Sequence, residues 1–250
     1  MVLTFDKPGC GASSGSWLTS SLDDMAENGR VLLDWLKARP EVDARKVGLL
    51  GISQGGWVAP LVAADRADVA FATFLTGGAV SPRWVETFDY ELRLEQSGAK
   101  GADHEAGRKA IRAYFAYLAG EAPQTEVTSL LESGTAQGWS DALGMKRVLP
   151  GDAQRPFWAW VATFDPLPSL ARLRMPVLSL IGGRDRDPAA EVKAWQAGLA
   201  ANGDPRTEIR VVPGAGHVLT TGGTHRIGTF NTEALDAMAA WAASVVRPKA

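Results

Sequence analysis

The sequence contains only one cysteine, Cys10, among its 250 residues. One cysteine excludes an internal disulfide and a zinc site built from cysteines, so packing alone must hold the fold. No uninterrupted apolar run reaches the ~18 residues that a membrane-spanning helix needs. Residues 1–20 also lack the basic start and apolar stretch of a signal peptide. We therefore expect no membrane association and a cytoplasmic location.

The sequence also lacks a large excess of either positive or negative charge. The 26 Lys and Arg residues nearly balance the 28 Asp and Glu residues, and neither sign forms a long block along the chain. This balance argues against nucleic acid as a partner. Internal repeats are absent as well, which excludes solenoid and propeller architectures. The 46% hydrophobic and 22% charged residues are typical of an ordinary globular protein.

Short apolar runs of strand length recur along the chain. They are residues 2–5, 47–52, 69–76, 177–181 and 209–212. Segments with helical spacing of apolar residues lie between them, at 21–36, 57–64, 191–201 and 232–246. Alternation of strands and helices predicts an α/β fold with a mostly parallel sheet.

Residues 82–165 interrupt this alternation. The segment has helical patterns, such as 104–118, but no convincing strand. We predict a helical insertion between two strands, which divides the chain into a first core part (1–81), the insertion (82–165) and a second core part (166–250). The insertion carries Trp84, Trp139, Trp158 and Trp160. These rings form its interior, or one or two of them line a small-molecule pocket.

A candidate nucleophile lies where a strand gives way to a helix. The residues Gly51-Ile52-Ser53-Gln54-Gly55 match the G-x-S-x-G pattern. A serine on so sharp a turn has a strained backbone, and its neighbours must be nearly without side chains, as Gly51, Gly55 and Gly56 are. The alternative is a glycine-rich turn with a serine that caps the helix.

A serine hydroxyl needs a base, for which histidine is suited because its pKa lies near neutrality. The chain has three histidines. His217 follows the last predicted strand in Pro-Gly-Ala-Gly-His and is best placed to act on Ser53. His104 fits a solvated helical position in the insertion. His225 fits a surface loop and is the second choice.

The base in turn needs a carboxylate that fixes its tautomer. Asp185 and Asp187 both follow the 177–181 run, in the sequence Gly-Gly-Arg-Asp-Arg-Asp-Pro. Asp187 precedes Pro188, a favoured first residue of a helix, which suits Asp187 to capping. This leaves Asp185 as the predicted acid, in the chain order serine, aspartate, histidine.

These motifs, together with the segment Asp-Lys-Pro-Gly-Cys-Gly-Ala-Ser at residues 6–13, resemble α/β-hydrolases, and more narrowly their esterase and serine-aminopeptidase-like branch with a helical cap. The resemblance implies an acyl-enzyme mechanism at Ser53, His217 and Asp185, with no metal or organic cofactor. It implies a small ester, or a short peptide or amino-acyl amide, as substrate. The backbone N–H of Gln54 would belong to the oxyanion hole. The rival hypothesis is a non-catalytic protein that keeps the pocket for binding.

The sequence departs from the family in one respect. In α/β-hydrolases the segment that resembles residues 6–13 follows the fourth strand, and a histidine-glycine loop after the third strand supplies half of the oxyanion hole. The resemblance thus implies that Met1 is an internal methionine of a longer protein or an artefactual start. In this chain we expect residues 2–5 either to pair directly with 47–50 or to leave both strand edges unpaired.

Overall fold

The structure, a computed structural model, describes residues 1–64, 66–221 and 228–246. It divides into two compact units, each assembled from separate segments of the chain. The first unit comprises Met1–Ser14, Leu22–Val80 and Asp165–Ala250, and the second comprises Gly15–Ser21 and Ser81–Phe164. The second unit thus includes the short segment Gly15–Ser21, whereas the predicted first core part extends over residues 1–81.

The first unit is built on a parallel sheet of four strands. They are β1 (Leu49–Ile52), β2 (Ala72–Leu75), β3 (Val177–Gly182) and β4 (Glu208–Val212), and they lie side by side in this order. In the register, Gly51 lies opposite Phe74, and Phe74 lies opposite Ser179. All three pairings are parallel, so the predicted parallel α/β sheet is confirmed.

Helices make up most of the remaining described residues. In chain order they are α1 (Leu22–Lys37), α2 (Gly55–Ala63), α3 (Pro82–Gln96), α4 (Ala102–Ala119), α5 (Gln124–Ser133), α6 (Trp139–Leu143), α7 (Arg155–Trp158), α8 (Trp160–Thr163), α9 (Leu167–Leu170), α10 (Pro188–Gly198) and α11 (Thr232–Val246). The segment between β2 and β3 is helical, as predicted. In the part of the chain that the structure describes, no helix is both long and apolar enough to span a bilayer.

Apolar side chains cover both faces of the two central strands, β2 and β3. On one face Phe74 packs against Trp195 of α10, with 4.8 Å between the ring centroids. On the other face Leu178 and Leu180 of β3 share a buried cluster with Trp241 of α11. Two covered faces explain why β2 and β3 appear in the sequence as continuous apolar runs instead of an alternating pattern.

The prediction of a strand at residues 2–5 is wrong. The structure assigns no strand there, and Val2 and Phe5 are 82% and 52% exposed. Of the two alternatives for residues 47–50, pairing with residues 2–5 is wrong and the unpaired edge is found, because among the described strands β1 pairs only with β2. An extended segment is stabilised only by ladder hydrogen bonds and a covered face, and residues 2–5 have neither.

The second unit has an aromatic interior. Tyr90 of α3 and Tyr114 of α4 meet edge to face at 5.7 Å between centroids, and Trp139 of α6 is fully buried in the same cluster. The segment 15–21 belongs to this unit because Trp17 packs edge to face against Trp158, at 5.6 Å. The indole N–H of Trp158 also donates to the carbonyl of Leu18, at 3.2 Å.

Candidate active site

Ser53 lies on a tight turn between β1, which ends at Ile52, and α2, which begins at Gly55. Its φ of 51° is in the left-handed region, which serine rarely adopts. The backbone N–H of Ser53 donates to the carbonyl of Leu75 in β2, at 3.1 Å, and so ties the turn to the sheet. The strained turn predicted for this residue is confirmed.

Two of the three neighbouring glycines are needed for close backbone contact. A Cβ on Gly51 would lie 2.4 Å from the carbonyl oxygen of Gly55, and a Cβ on Gly56 would lie 2.8 Å from that of Gly77. Side chains at these positions would force the turn apart. A Cβ on Gly55 would meet no atom within 4 Å. The prediction that this position must lack a side chain is therefore wrong.

His217 follows β4 on a loop that is fixed to the end of β2. The N–H of Val218 donates to the hydroxyl of Thr76, at 3.0 Å. Both residues have positive φ, 55° for Val218 and 44° for Thr76, so the loop bends sharply at this point. The bend brings Nε2 of His217 to 2.9 Å from Oγ of Ser53, although the two residues are 164 positions apart.

Asp185 follows β3 and completes a chain of hydrogen bonds. Its Oδ2 lies 3.0 Å from Nδ1 of His217. The loop is tied to the histidine loop, because the N–H of Arg184 donates to the carbonyl of Ala215, at 2.8 Å. Asp187 instead accepts from the N–H of Ala190, at 3.0 Å, and caps α10. The structure therefore places Asp185 at His217 and gives Asp187 the capping position predicted for it.

The other candidates lie elsewhere. His104 is a partly exposed residue of α4 in the second unit. His225, the second choice for the base, lies outside the described residues. Gln54, the predicted oxyanion donor, directly follows Ser53 and is the N-cap of α2, at the helix end where backbone N–H groups have no partner within the helix.

The guanidinium of Arg186, which no sequence motif indicates, also reaches this site. Nη1 of Arg186 lies 3.4 Å from Oδ1 of Asp185 and 3.3 Å from Nδ1 of His217. Burial raises the pKa of Asp185, but the hydrogen bond and charge of His217, together with Arg186, hold it below its usual value. Asp185 is therefore ionised at neutral pH, as an acceptor for an imidazole N–H must be.

A second buried carboxyl group was also missed. Glu191 lies in the first turn of α10, and burial and the charge of Asp185 raise its pKa to about 7. The N–H groups of Ala79 and Val80 and the charge of Arg186 oppose this rise. The sequence carries no signal for its burial, because a glutamate in the first turn of a helix is ordinarily a solvated residue that favours the helix dipole.

Comparison with known proteins identifies the family to which this chain belongs. The model of the alpha/beta hydrolase family matches residues 2–223, which is most of the chain. The chain belongs to this family. Its members are generally hydrolases, and the resemblance stated from the motifs is confirmed at the level of the superfamily. No curated protein matches the sequence.

Solved structures of other alpha/beta hydrolases share the fold. DcsB, solved with a substrate analogue, is 19% identical and superposes with a TM-score of 0.54 over 97% of this chain and 79% of its own. The hydrolase GrgF from a Penicillium species is 16% identical, with a TM-score of 0.54 over 94% and 76%. A bacterial membrane phospholipase A is 21% identical, with a TM-score of 0.52 over 97% and 70%. Identities this low support the fold alone.

Proposed function

We propose that this alpha/beta hydrolase is a serine hydrolase that cleaves carboxylic esters through an acyl-enzyme intermediate. The observation that carries the proposal is the continuous contact from Ser53 Oγ to His217 Nε2, at 2.9 Å, and from His217 Nδ1 to Asp185, at 3.0 Å. Nucleophile, base and orienting acid in this arrangement are sufficient to activate a hydroxyl at neutral pH.

In the first half of the reaction the Ser53 oxygen attacks the carbonyl carbon of the ester. Nε2 of His217 takes the hydroxyl proton, and Asp185 stabilises the resulting imidazolium through Nδ1. The tetrahedral intermediate then collapses, the bond to the alkoxy group breaks, and His217 returns the proton to the departing alcohol. The acyl group remains on Ser53.

In the second half water attacks the acyl-enzyme, with His217 again as the base, and the carboxylic acid is released as Ser53 regains its proton. The negative oxygen in both intermediates requires a hydrogen-bond donor, and we assign this role to the backbone N–H of Gln54. The position of Gln54 at the start of α2 supports the assignment, because helix N-termini favour negative charge.

Small esters are the leading substrate class, and short peptide or amino-acyl amides are the alternative within the same chemistry. A pair of chromogenic substrates with the same acetyl group, p-nitrophenyl acetate and p-nitroacetanilide, distinguishes them. We expect turnover of the ester well above that of the anilide. Faster cleavage of the anilide would favour the peptidase alternative.

The test of the proposal is covalent labelling with a fluorophosphonate probe, which forms a bond from phosphorus to an activated serine oxygen and releases fluoride. We expect the wild-type protein to be labelled and Ser53→Ala to give no signal. Ser13→Ala is the matched control, because the hydroxyl of Ser13 bonds a nearby backbone carbonyl, and it should label like the wild type. An unlabelled but folded wild-type protein would favour the rival hypothesis of a binding protein.

A further inference from the structure

Four residues other than glycine have a positive φ among the residues that the structure describes. They are Ser53, Thr76, Val218 and Leu219, with φ of 51°, 44°, 55° and 58°. A side chain makes this conformation costly, above all in β-branched residues such as threonine and valine, and it persists only where the surrounding contacts impose it. Ser53 is the proposed nucleophile, and Val218 and Leu219 directly follow His217. The proposed reaction gives the fourth strained residue, Thr76, no role.

The backbone of Thr76 is fixed relative to Ser53. Thr76 directly follows β2 and is only 1% exposed. The carbonyl of the preceding residue, Leu75, accepts from the N–H of Ser53, at 3.1 Å. The loop after Thr76 also packs closely against the serine turn, because a Cβ on Gly78 would lie 2.6 Å from the carbonyl oxygen of Gly56. A group held by Thr76 is therefore held at a set distance from the nucleophile.

The loop that carries His217 is anchored on two sides. On the side of the predicted acid, the N–H of Arg184 donates to the carbonyl of Ala215, at 2.8 Å. On the side of the nucleophile, the N–H of Val218 donates to Oγ1 of Thr76, at 3.0 Å. The first hydrogen bond ties the histidine loop to the aspartate loop. The second ties it to a residue that is itself fixed to the serine turn.

Resting on the proposed function, we propose that Thr76 is a positioning residue, whose hydroxyl accepts from the N–H of Val218 and so holds Nε2 of His217 within reach of Oγ of Ser53. The hydroxyl contacts the backbone of the histidine loop and not the reacting atoms. Without this acceptor Val218 would relax from its strained φ, since the hydrogen bond that opposes the relaxation is gone. A backbone rotation at this residue displaces the imidazole next to it.

The test compares variants that lose the hydroxyl of Thr76 with one that keeps it. Thr76→Val replaces the hydroxyl by a methyl group and retains the branch at Cβ, whereas Thr76→Ser retains the hydroxyl. Thr76→Ala removes the same hydroxyl without adding a methyl group and gives the result if valine is not accommodated. Thr73→Val is the matched control, because Thr73 is 2% exposed and lies towards the amino end of β2, away from the site.

The measurements are the rate constant and the end point of fluorophosphonate labelling at Ser53, and the kcat and KM for p-nitrophenyl acetate. We expect Thr76→Val and Thr76→Ala to lower the rate constant and kcat roughly 30-fold, since a misplacement of about 1 Å can cost about 10²-fold. KM should stay within about twofold, because the hydroxyl does not bind substrate. The end point should remain one label per chain, because a misplaced imidazole slows the reaction without preventing it.

The variant that keeps the hydroxyl should recover the activity. We expect Thr76→Ser to label within about threefold of the wild-type rate and Thr73→Val within about twofold, because neither change removes the acceptor of the Val218 N–H. Recovery by serine would show that the hydroxyl, and not the bulk of the side chain, positions His217.

Three results would overturn the proposal. The first is a wild-type rate in both variants without the hydroxyl. The second is a rate in Thr76→Ser as low as that in Thr76→Val. The third is a lower end point, or no folded protein, in both Thr76→Val and Thr76→Ala, which would assign the hydroxyl to folding alone. A folded wild-type protein that is not labelled at Ser53 would instead overturn the proposed function, so the two failures are distinguishable.

Discussion

The loop after β3 and the first turn of α10 each bury one carboxyl group, and the two groups have opposite ionisation behaviour. The pKa of Asp185 in the loop is lowered, whereas that of Glu191 in the helix is raised to about 7. Burial raises the pKa of both. Asp185 differs because it accepts a hydrogen bond from His217 and lies beside Arg186, whereas Oε2 of Glu191 has no partner within the described residues.

Burial therefore does not decide which of the two carboxyl groups is charged. The neighbouring charged groups decide it. The hydrogen bond and charge of His217 lower the pKa of Asp185. The charge of Asp185 in turn raises the pKa of Glu191, although two backbone N–H groups oppose this rise. Asp185 therefore stays ionised, which its role as partner of an imidazolium demands. Glu191 is buried beside the charge of Asp185, and its pKa is raised to about 7. Two acids six residues apart thus contribute to stability with opposite dependence on pH.

The largest expected effect comes from removing the charge of Asp185. In Asp185→Asn an amide replaces the carboxylate, and it can donate to Nδ1 of His217 and so favour the tautomer that cannot accept the Ser53 proton. We expect fluorophosphonate labelling to fall by roughly 10⁴-fold. Asp187→Asn is the control and should label normally, because asparagine also caps helices well. A loss below about tenfold would assign the acid role elsewhere.

Removing the charge of Glu191 should have a smaller effect, which is an increase in the free energy of unfolding at pH 8. A pKa of about 7 instead of 4.5 means that ionising the buried carboxyl group costs on the order of 3 kcal/mol. The favourable contribution of the protonated group is present below pH 4.5 and is lost as the pH rises through 7. Glu191→Gln does not ionise, so we expect it to be more stable than the wild type at pH 8.

The measurement is urea unfolding of both proteins at pH 5 and pH 8. The gain for Glu191→Gln should approach 3 kcal/mol, on the order of the ionisation cost, at pH 8 and should fall to about 1 kcal/mol at pH 5. A gain that is the same at both pH values would show that packing, not ionisation, distinguishes the variant.

The comparison also shows what could be predicted from the sequence. Ser53, Asp185 and His217 follow apolar runs that are long enough to be recognised as strands, and parallel strands bring their carboxyl ends to one edge of the sheet. Capping by Asp187 was predictable because the cap and Pro188 are neighbours in sequence. These predictions depend on local patterns and on one rule of sheet topology.

The features that could not be predicted from the sequence depend on contacts between residues that are distant along the chain. Residues 2–5 have the composition of a strand, but a strand forms only where a neighbour accepts its hydrogen bonds. Segment 15–21 joins the second unit through the contact of Trp17 with Trp158, which no periodicity reports. Glu191 is indistinguishable in sequence from an exposed helical glutamate such as Glu233. Its burial beside Asp185 is set by tertiary packing.

The smallest expected effect separates capping from catalysis within the same loop. Asp187→Ala removes the acceptor of the Ala190 N–H at the start of α10 and should lower the free energy of unfolding by about 1 kcal/mol. Labelling of Ser53 should stay within about threefold of the wild type, because the link between Asp185 and His217 does not include Asp187. Equal losses of labelling in Asp187→Ala and Asp185→Asn would mean that the loop, and not one carboxylate, orients the imidazole.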